Sequence, residues 1–370
     1  MRPGSGSAAA PRPASPGDLL SRLRRDAAPA AKRWLFRAGA YSAIRTFRPN
    51  RGLAILRYHA ICGPEGHAYA EPLICVSPFA FEAHVAYLTS RYRVLPLPEA
   101  VRVLREGRSL PANAVAITFD DGYADNLAAA RVLHRHGATA TFYITAGCLQ
   151  GGAPFWPSEI RQLVPRLQAP EVRLKSAGTD VVIPCATDGE KRAAMRTLAR
   201  LFKSHTIPVR EALREELRAA AGGGTVPSFM LTWDELAEMH RLGMTIGAHT
   251  VTHPNLPNAG PADAWREISG SRQRLERELG ATVTMFSYPN GGAERYRTDE
   301  VERLVREARF EAATTSWNGF AGPASNLFAL ERVQVAERLE DLVFALEVER
   351  FAFKPAPRAV KGDTHAGNDD

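Results

Sequence analysis

The chain has 370 residues, 45% of them hydrophobic, and carries 47 Lys and Arg against 40 Asp and Glu, a formal net charge of +7. That length and apolar fraction fit one large α/β domain or two smaller ones with a full core, which excludes a fibrous or largely disordered chain. The basic excess is spread along the sequence without a nucleic-acid-binding motif, and Cys62, Cys75, Cys148 and Cys185 show no C-x-x-C spacing, so nucleic acid, a zinc ribbon and a dense disulfide framework are all unexpected, and a reducing compartment fits.

Residues 1–50 read as a disordered, basic N-terminal arm whose first thirty positions are rich in Pro, Ser, Ala and Gly. They lack the apolar core of a secretory signal, and no run of about 18 apolar residues suggests a transmembrane helix. A cytoplasmic and bacterial protein is expected. Within the arm, residues 31–48 predict a short basic helix with Trp34, Phe36, Tyr41, Ile44 and Phe47 as apolar members. Such a helix either lies on the inner membrane surface or docks against the domain behind it.

From residue 51 to 345 the pattern alternates. Leu53–Tyr58 reads as a strand, and Ser77-Pro78 opens a helix through Arg91. A short strand at Tyr92–Leu95, a helix near Pro98–Glu106, a strand at Val115–Phe119 and a helix at Ala124–His136 follow. Thr139–Ile144, Met244–Ala248, Val283–Tyr288 and Phe310–Thr314 read as further strands. Alternating strands and helices imply parallel β/α units, and seven such units suggest a closed or nearly closed barrel. Residues 151–230 interrupt the alternation with polar and helical stretches and read as a helical insertion forming a cap or groove wall. Thr232 and Glu235 have the spacing of a capping box for the helix that begins at Trp233. Residues 346–370 read as a C-terminal tail.

Three motifs sit where strands end, the edge at which β/α barrels place their chemistry. Asp120 and Asp121 follow the Val115–Phe119 run, and Gly122 lets the chain turn so that both carboxylates approach one centre. The plainer reading is an Asp-Gly turn with a helix N-cap. His249 and His253 follow Met244–Ala248, and their i, i+4 spacing can converge on one ion; two ordinary loop histidines are the alternative. Phe286-Ser287-Tyr288-Pro289-Asn290-Gly291-Gly292 ends a strand in a turn whose free N–H groups can face an oxyanion, or is a plain turn. Carboxylates and imidazoles together are the parts of a metal-assisted hydrolase.

Thr118-Phe119-Asp120-Asp121-Gly122, His249-Thr250-Val251-Thr252-His253 and Tyr288-Pro289-Asn290-Gly291 together resemble the polysaccharide deacetylases, the NodB-homology family (carbohydrate esterase family four). The resemblance covers roughly residues 53–335, insertion apart. It implies a distorted (β/α)7 barrel and removal of acetyl groups from N-acetylated sugars with a divalent metal, Zn2+ being the ion expected. It also implies that Asp120 is the general base, that Asp121, His249 and His253 hold the metal, and that the Asn290 backbone N–H supplies part of the oxyanion hole.

The family's late L-x-x-H histidine is missing, because the corresponding stretch reads Leu330-Glu331-Arg332-Val333. The arginine that many members carry before the proline turn is missing too, with Ser287-Tyr288 in its place. His59, at the end of the first strand, resembles the Tyr-His pair of the permuted poly-N-acetylglucosamine deacetylases and is the candidate acid; a structural histidine is the alternative. Arg332 orients a carboxylate or substrate, or forms a surface salt bridge. Tyr123, Trp156 and Trp317 are candidates for sugar contact, though aromatics at loop ends often serve packing. The expected partner is an N-acetylated glycan or glycan-lipid. Competing readings are a catalytically silent glycan-binding relative and a metal-dependent amidohydrolase or esterase on another acyl substrate.

Overall fold

The computed structural model describes residues 28–175, 178–291 and 295–351. Residues 1–27 of the expected arm and 352–370 of the expected tail lie outside the described residues. In chain order the elements are α1 (28–37), α2 (Ala40–Phe47), β1 (Leu53–Tyr58), α3 (Pro78–Arg91), β2 (Arg93–Val94), α4 (Leu97–Arg105), β3 (Ala114–Phe119), α5 (Asn126–Arg135) and β4 (Thr141–Ile144). An insertion then holds α6 (Trp156–Leu163), β5 (Glu171–Leu174), β6 (Val181–Pro184), α7 (Asp188–Ser204) and α8 (Ile207–Ala220). The chain continues with α9 (Trp233–Arg241), β7 (Thr245–Ala248), α10 (Leu256–Ala259), α11 (Pro261–Leu279), β8 (Met285–Ser287), α12 (Asp299–Glu307), β9 (Ala312–Asn318), β10 (Leu330–Gln334) and α13 (Leu339–Glu347).

Seven parallel strands close a ring in the order β1-β10-β9-β8-β7-β4-β3 and back to β1. This is the expected (β/α)7 barrel, distorted where β9 and β10 slip register between Leu330 and Arg332. The seventh stave differs from the expectation. It is β10, a segment that carries Glu331 and Arg332, and not the Tyr92–Leu95 strand. β1 pairs with β3 along its whole length, so β2 and β4 must share the other edge of β3. β2 takes only Ala114 and Val115, and β4 takes Thr118 and Phe119.

The period-two alternation of each strand sorts the core into two shells. Leu53, Ile55, Ala114, Ala116, Tyr143, Met285 and Leu330 fill the barrel interior, and Leu97, Ala100, Val101 and Leu104 of α4 join that cluster. Ala54, Leu56, Tyr58, Val115, Ile117 and Phe119 face outward beneath the helices. Every residue of β3 is buried, as a parallel strand covered on both faces requires.

The insertion is not purely helical. β5 and β6 form an antiparallel hairpin, and with α6, α7 and α8 they enclose a separate apolar cluster built on Trp156, Leu163, Leu174, Leu198, Phe202 and Leu213. Short β-segments escape a helical reading because two four-residue strands carry little periodicity of their own. The expected capping box at Thr232 and Glu235 is present.

The helix expected over 31–48 is broken in two, with Gly39 at φ 76° between α1 and α2. The pair docks against α13: Tyr41 meets Phe344 edge-on, Lys32 pairs with Asp341 at 3.1 Å, and the buried Arg45 stands 4.0 Å from Glu347. No helix among the described residues is long and apolar enough to cross a membrane.

Candidate active site

The alternation of β3 sets the site. Ala114, Ala116 and Thr118 point inward, and Asp120 continues the series into the upper barrel. Regular strand geometry would send Asp121 outward. Asp121 instead takes φ 77° and Gly122 takes φ 92°, which swings the second carboxylate back over the barrel mouth. The turn thus begins on the aspartate itself, one of the few side chains that tolerates left-handed backbone. Six non-glycine residues among the described ones have positive φ, and four of them (Asp121, Thr250, His253 and Asn290) lie in the three motifs. Backbone strain is therefore concentrated at the site, at about 1–3 kcal/mol per residue.

Hydrogen bonds hold the strained loop after β7. Glu267 of α11 accepts from the backbone N–H of Val251 at 2.8 Å and of Thr252 at 2.7 Å, and from the Thr252 hydroxyl at 2.6 Å. The His253 N–H donates to Thr250 Oγ1 at 3.0 Å, and Trp156 Nε1 donates to the His253 carbonyl at 3.0 Å. Asn290 Nδ2 donates to the Pro254 carbonyl at 3.0 Å and ties the third motif to the second.

These constraints bring Asp121, His249 and His253 together. Asp121 Oδ1 is 3.5 Å from His249 Nε2 and 3.4 Å from His253 Nε2, and the three groups are buried. A tetrahedral ion with bonds of about 2.0–2.1 Å spaces its ligand atoms roughly 3.3–3.4 Å apart, so the donor set fits Zn2+ or a similar ion. His249 Nδ1–H donates to the Ser287 carbonyl at 2.8 Å, which leaves the Nε2 lone pair facing Asp121. Burial would raise the Asp121 carboxyl, but the adjacent His249 and His253 imidazoles hold it well below the usual range. Burial is also the main cause that lowers His253, which favours the neutral, metal-binding imidazole.

Asp120 has a different partner. Arg332 reaches across the barrel from β10 and donates from Nη1 to Oδ1 at 2.7 Å and from Nη2 to Oδ2 at 2.6 Å. Arg332 is 1% exposed, so it is not a surface salt bridge but a carboxylate-orienting group. Its Nη2 also donates to Ser287 Oγ at 3.2 Å, and its Nε to the Thr315 carbonyl at 2.7 Å. Burial would raise the Asp120 carboxyl, yet the guanidinium overrides this and holds it below the ordinary carboxylate range. His59 lies beside it, with Nε2 3.7 Å from Asp120 Oδ2 and Nδ1 buried without a partner. Burial, helped by Arg57 and Arg332, pushes His59 down to about 4 against the opposing pull of Asp120 and Asp121.

His59, Asp120, Asp121, His249 and His253 line one cleft of about 540 Å3, with α6 and α7 of the insertion as one wall. Asn290 and Tyr123 are on the lining. Tyr123, however, is 1% exposed and packs edge-on against Phe155, which makes it a wall element with little free ring face. Trp156 is likewise buried, as the anchor of the His253 carbonyl. Trp317 is not brought to the site: β9 turns Ser316 and Asn318 into the cleft, and the alternation sends Trp317 outward against Tyr296, 41% exposed. Gly292 lies outside the described residues. Motif reading missed Glu267, Arg57 and the α7 wall; a glutamate in mid-helix and cations in an insertion carry no local signal of a cleft.

A polysaccharide deacetylase family model matches residues 107–169 and 186–313, and the gap between the two segments spans the β5–β6 hairpin. YxkH of Bacillus subtilis (strain 168), named after the polysaccharide deacetylases, is 24% identical over 308 residues, which is 83% of this chain and 79% of that protein. Among solved structures, the Streptococcus pyogenes deacetylase PplD in complex with acetate superposes with a TM-score of 0.54 at 21% identity, over 81% of this chain and 99% of that one. IcaB from Ammonifex degensii gives a TM-score of 0.53 at 17% identity, over 81% and 99%. These two structures share the fold with the present chain. The family match covers more than half of the sequence and includes all of the first two motifs, and on that ground the chain belongs to the polysaccharide deacetylases of the NodB-homology type, hydrolases of carbon–nitrogen bonds other than peptide bonds.

Proposed function

We propose that the protein is a divalent-metal-dependent deacetylase of N-acetylated sugars in a polysaccharide or a glycan precursor, with Zn2+ as the ion. The observation that carries this reading is the convergence of Asp121, His249 and His253 at ligand spacing beside a second carboxylate that stays charged. A divalent ion held there would supply Lewis-acid polarisation of an acyl oxygen and a water of lowered pKa.

The remaining chemistry belongs to the chain. Asp120, fixed in a bidentate pair, is aimed and ionised at neutral pH, so it can accept a proton from the attacking water. Arg332 acts as a positioning residue: it orients Asp120 and keeps it charged, at the expense of basicity. It reaches from β10 and bonds Ser287, the residue that stands where many relatives have their arginine. His59 is neutral near pH 7, so it cannot begin as the acid. At 3.7 Å from Asp120 Oδ2 its Nε2 is placed to receive the proton Asp120 has taken and to pass it to the departing amine. The Asn290 turn faces the cleft, where its backbone N–H can meet the oxyanion.

The reading extends to location. Trp34 at 69%, Phe47 at 84% and Phe351 at 61% exposed leave apolar surface beside α1 and α2, near Arg37 and Arg48. That combination suits peripheral contact with an anionic inner membrane face.

The test is acetate release from N-acetylglucosamine oligomers by wild type and Asp120→Asn, with and without added Zn2+ or Co2+. Metal-dependent release that vanishes in the variant is the expected result. Metal binding at the Asp121 site with no release from any acetylated sugar would point to a binding-only relative or another acyl substrate.

A further inference from the structure

The cleft has more positive charge at its mouth than a neutral sugar needs. Two of its carboxylates are matched by arginines, Asp120 by Arg332 and Glu71 by Arg161 at 2.7 Å, and Asp121 faces His249 and His253 at the proposed ion site. Three further cations line it without a carboxylate partner among the described residues: Arg57, whose guanidinium bonds only the neutral Gln334, and Arg196 and Lys203 of α7. Lys203 also borders an adjoining groove of about 550 Å3, together with Arg200, Asn258 and Asn255, which is 5% exposed with its Oδ1 unpartnered.

The arrangement on α7 is regular. Arg192, Arg196, Arg200 and Lys203 recur at helical spacing on one face, while Ala194, Leu198 and Phe202 bury the opposite one. None of the four makes a side-chain hydrogen bond or ion pair among the described residues. The neighbouring helix of the same insertion differs. On α8, Arg210 pairs with Glu211, Arg214 with Glu159 and Glu211, and Arg218 with Glu159. The insertion therefore neutralises the arginines of one helix and leaves the cations of the other open, with Arg196 and Lys203 on the cleft and Arg200 and Lys203 on the adjoining groove. Unmatched cations beside a pocket raise the local concentration of an anionic ligand, and guanidinium groups suit phosphate oxygens in particular.

We infer that the acetylated sugar this site accepts bears a phosphate ester, as a sugar phosphate or diphosphate-linked sugar. Its phosphate rests against Arg196, Arg200 and Lys203, while its acetamido group reaches Asp121, His249 and His253. The inference rests on the deacetylase reading above and names the substrate class for that site. The phosphate can come from a soluble nucleotide diphosphate sugar or from a sugar on a prenyl diphosphate; the protein recognises the same group in both.

The experiment compares three substrates on the metal-loaded full chain: uridine diphosphate N-acetylglucosamine, a short-chain prenyl diphosphate N-acetylglucosamine, and a neutral N-acetylglucosamine pentamer. Wild type is set beside Arg196→Gln/Arg200→Gln/Lys203→Gln, whose changed side chains lie on the open face of α7 and whose fold is checked by circular dichroism. Acetate release should favour at least one phosphate-bearing sugar, and the better of the two identifies the source. Loss of charge-assisted hydrogen bonds should lower its kcat/KM by about tenfold or more in the triple variant, mainly through KM. The neutral pentamer should lose markedly less, and the difference should shrink in high salt. Equal or better turnover of the pentamer, with the triple variant reducing all three substrates alike, overturns the inference and leaves the deacetylase reading standing. Association with anionic vesicles that the triple variant abolishes, without any preference for phosphate-bearing sugars, overturns it as well. Calorimetric titration with the nucleotide sugar reads binding apart from turnover. Binding that the triple variant loses, with no acetate from any substrate, sinks the deacetylase reading and keeps the phosphate site.

Discussion

The two ends of the barrel interior are built from the same seven strands and hold opposite chemistry. At the lower end Leu53, Ile55, Ala114, Ala116, Met285 and Leu330 form an apolar plug sealed by α4. At the upper end the same strands present Thr118, Asp120, Ser287 and Arg332, all buried. The lower layer gains stability from area removed from water. The upper layer contains a charge pair whose desolvation is offset only while both partners are present. One end is thus arranged for stability, and the other for a fixed electrostatic geometry.

Substitutions should separate the two ends. The largest effect is expected from Asp120→Asn, which should lower kcat of the folded fraction by about 10²–10⁴-fold. It should also lower thermal stability, because the buried Arg332 guanidinium then faces a neutral amide; a small kinetic effect would remove Asp120 from the base role. Arg332→Leu should destabilise the fold by about 3–5 kcal/mol, because it leaves Asp120 charged, buried and unpaired. The sign of its pH dependence follows from the lowered Asp120 pKa. Stabilisation by the pair is fully present above the ordinary carboxylate range and is lost as pH falls through the folded value. Denaturation of wild type and variant should therefore converge on acidification, and the double variant Asp120→Leu/Arg332→Leu should recover stability at pH 7. In the lower layer, Ile55→Ala should cost about 2–5 kcal/mol in denaturant titrations yet leave kcat near wild type in the folded fraction.

Smaller effects test how the strained loop is held. Glu267→Gln weakens the charge-assisted bonds to Val251 and Thr252, and should reduce metal affinity by about 10–100-fold, as changes to groups that orient metal ligands commonly do. Unchanged affinity would show that the loop keeps its shape without that carboxylate. Trp317→Ala should be nearly silent on KM, within about 0.5 kcal/mol, because the ring lies outside the cleft. A large KM effect would mean that substrate extends over the outer face of β9.

Much of this was legible locally. A continuous apolar run followed by Asp120-Asp121-Gly122 announces a buried parallel strand that ends at a barrel mouth, and β1, β3, β4, β7, β8 and β9 could each be found from such runs. β10 could not, because Glu331 and Arg332 break the apolar pattern; Arg332 is compatible with the interior only because Asp120, far away in the chain, is there to receive it. The β2 segment misled for the converse reason: Tyr92–Leu95 looks like a stave, but β4 already holds the upper edge of β3.

The sequence by itself determined the alternation of strands and helices, the three motifs and their order, and hence the chemistry available, since each depends on side chains within a few residues of one another. Tertiary structure alone decided that Asp120 meets an arginine from across the barrel, that His59 lies beside Asp120 while Trp317 does not reach the cleft, and that open cations of α7 border the site. Those outcomes depend on barrel closure and on inward or outward alternation over long separations, and a one-residue change in register reverses the face to which a strand side chain points.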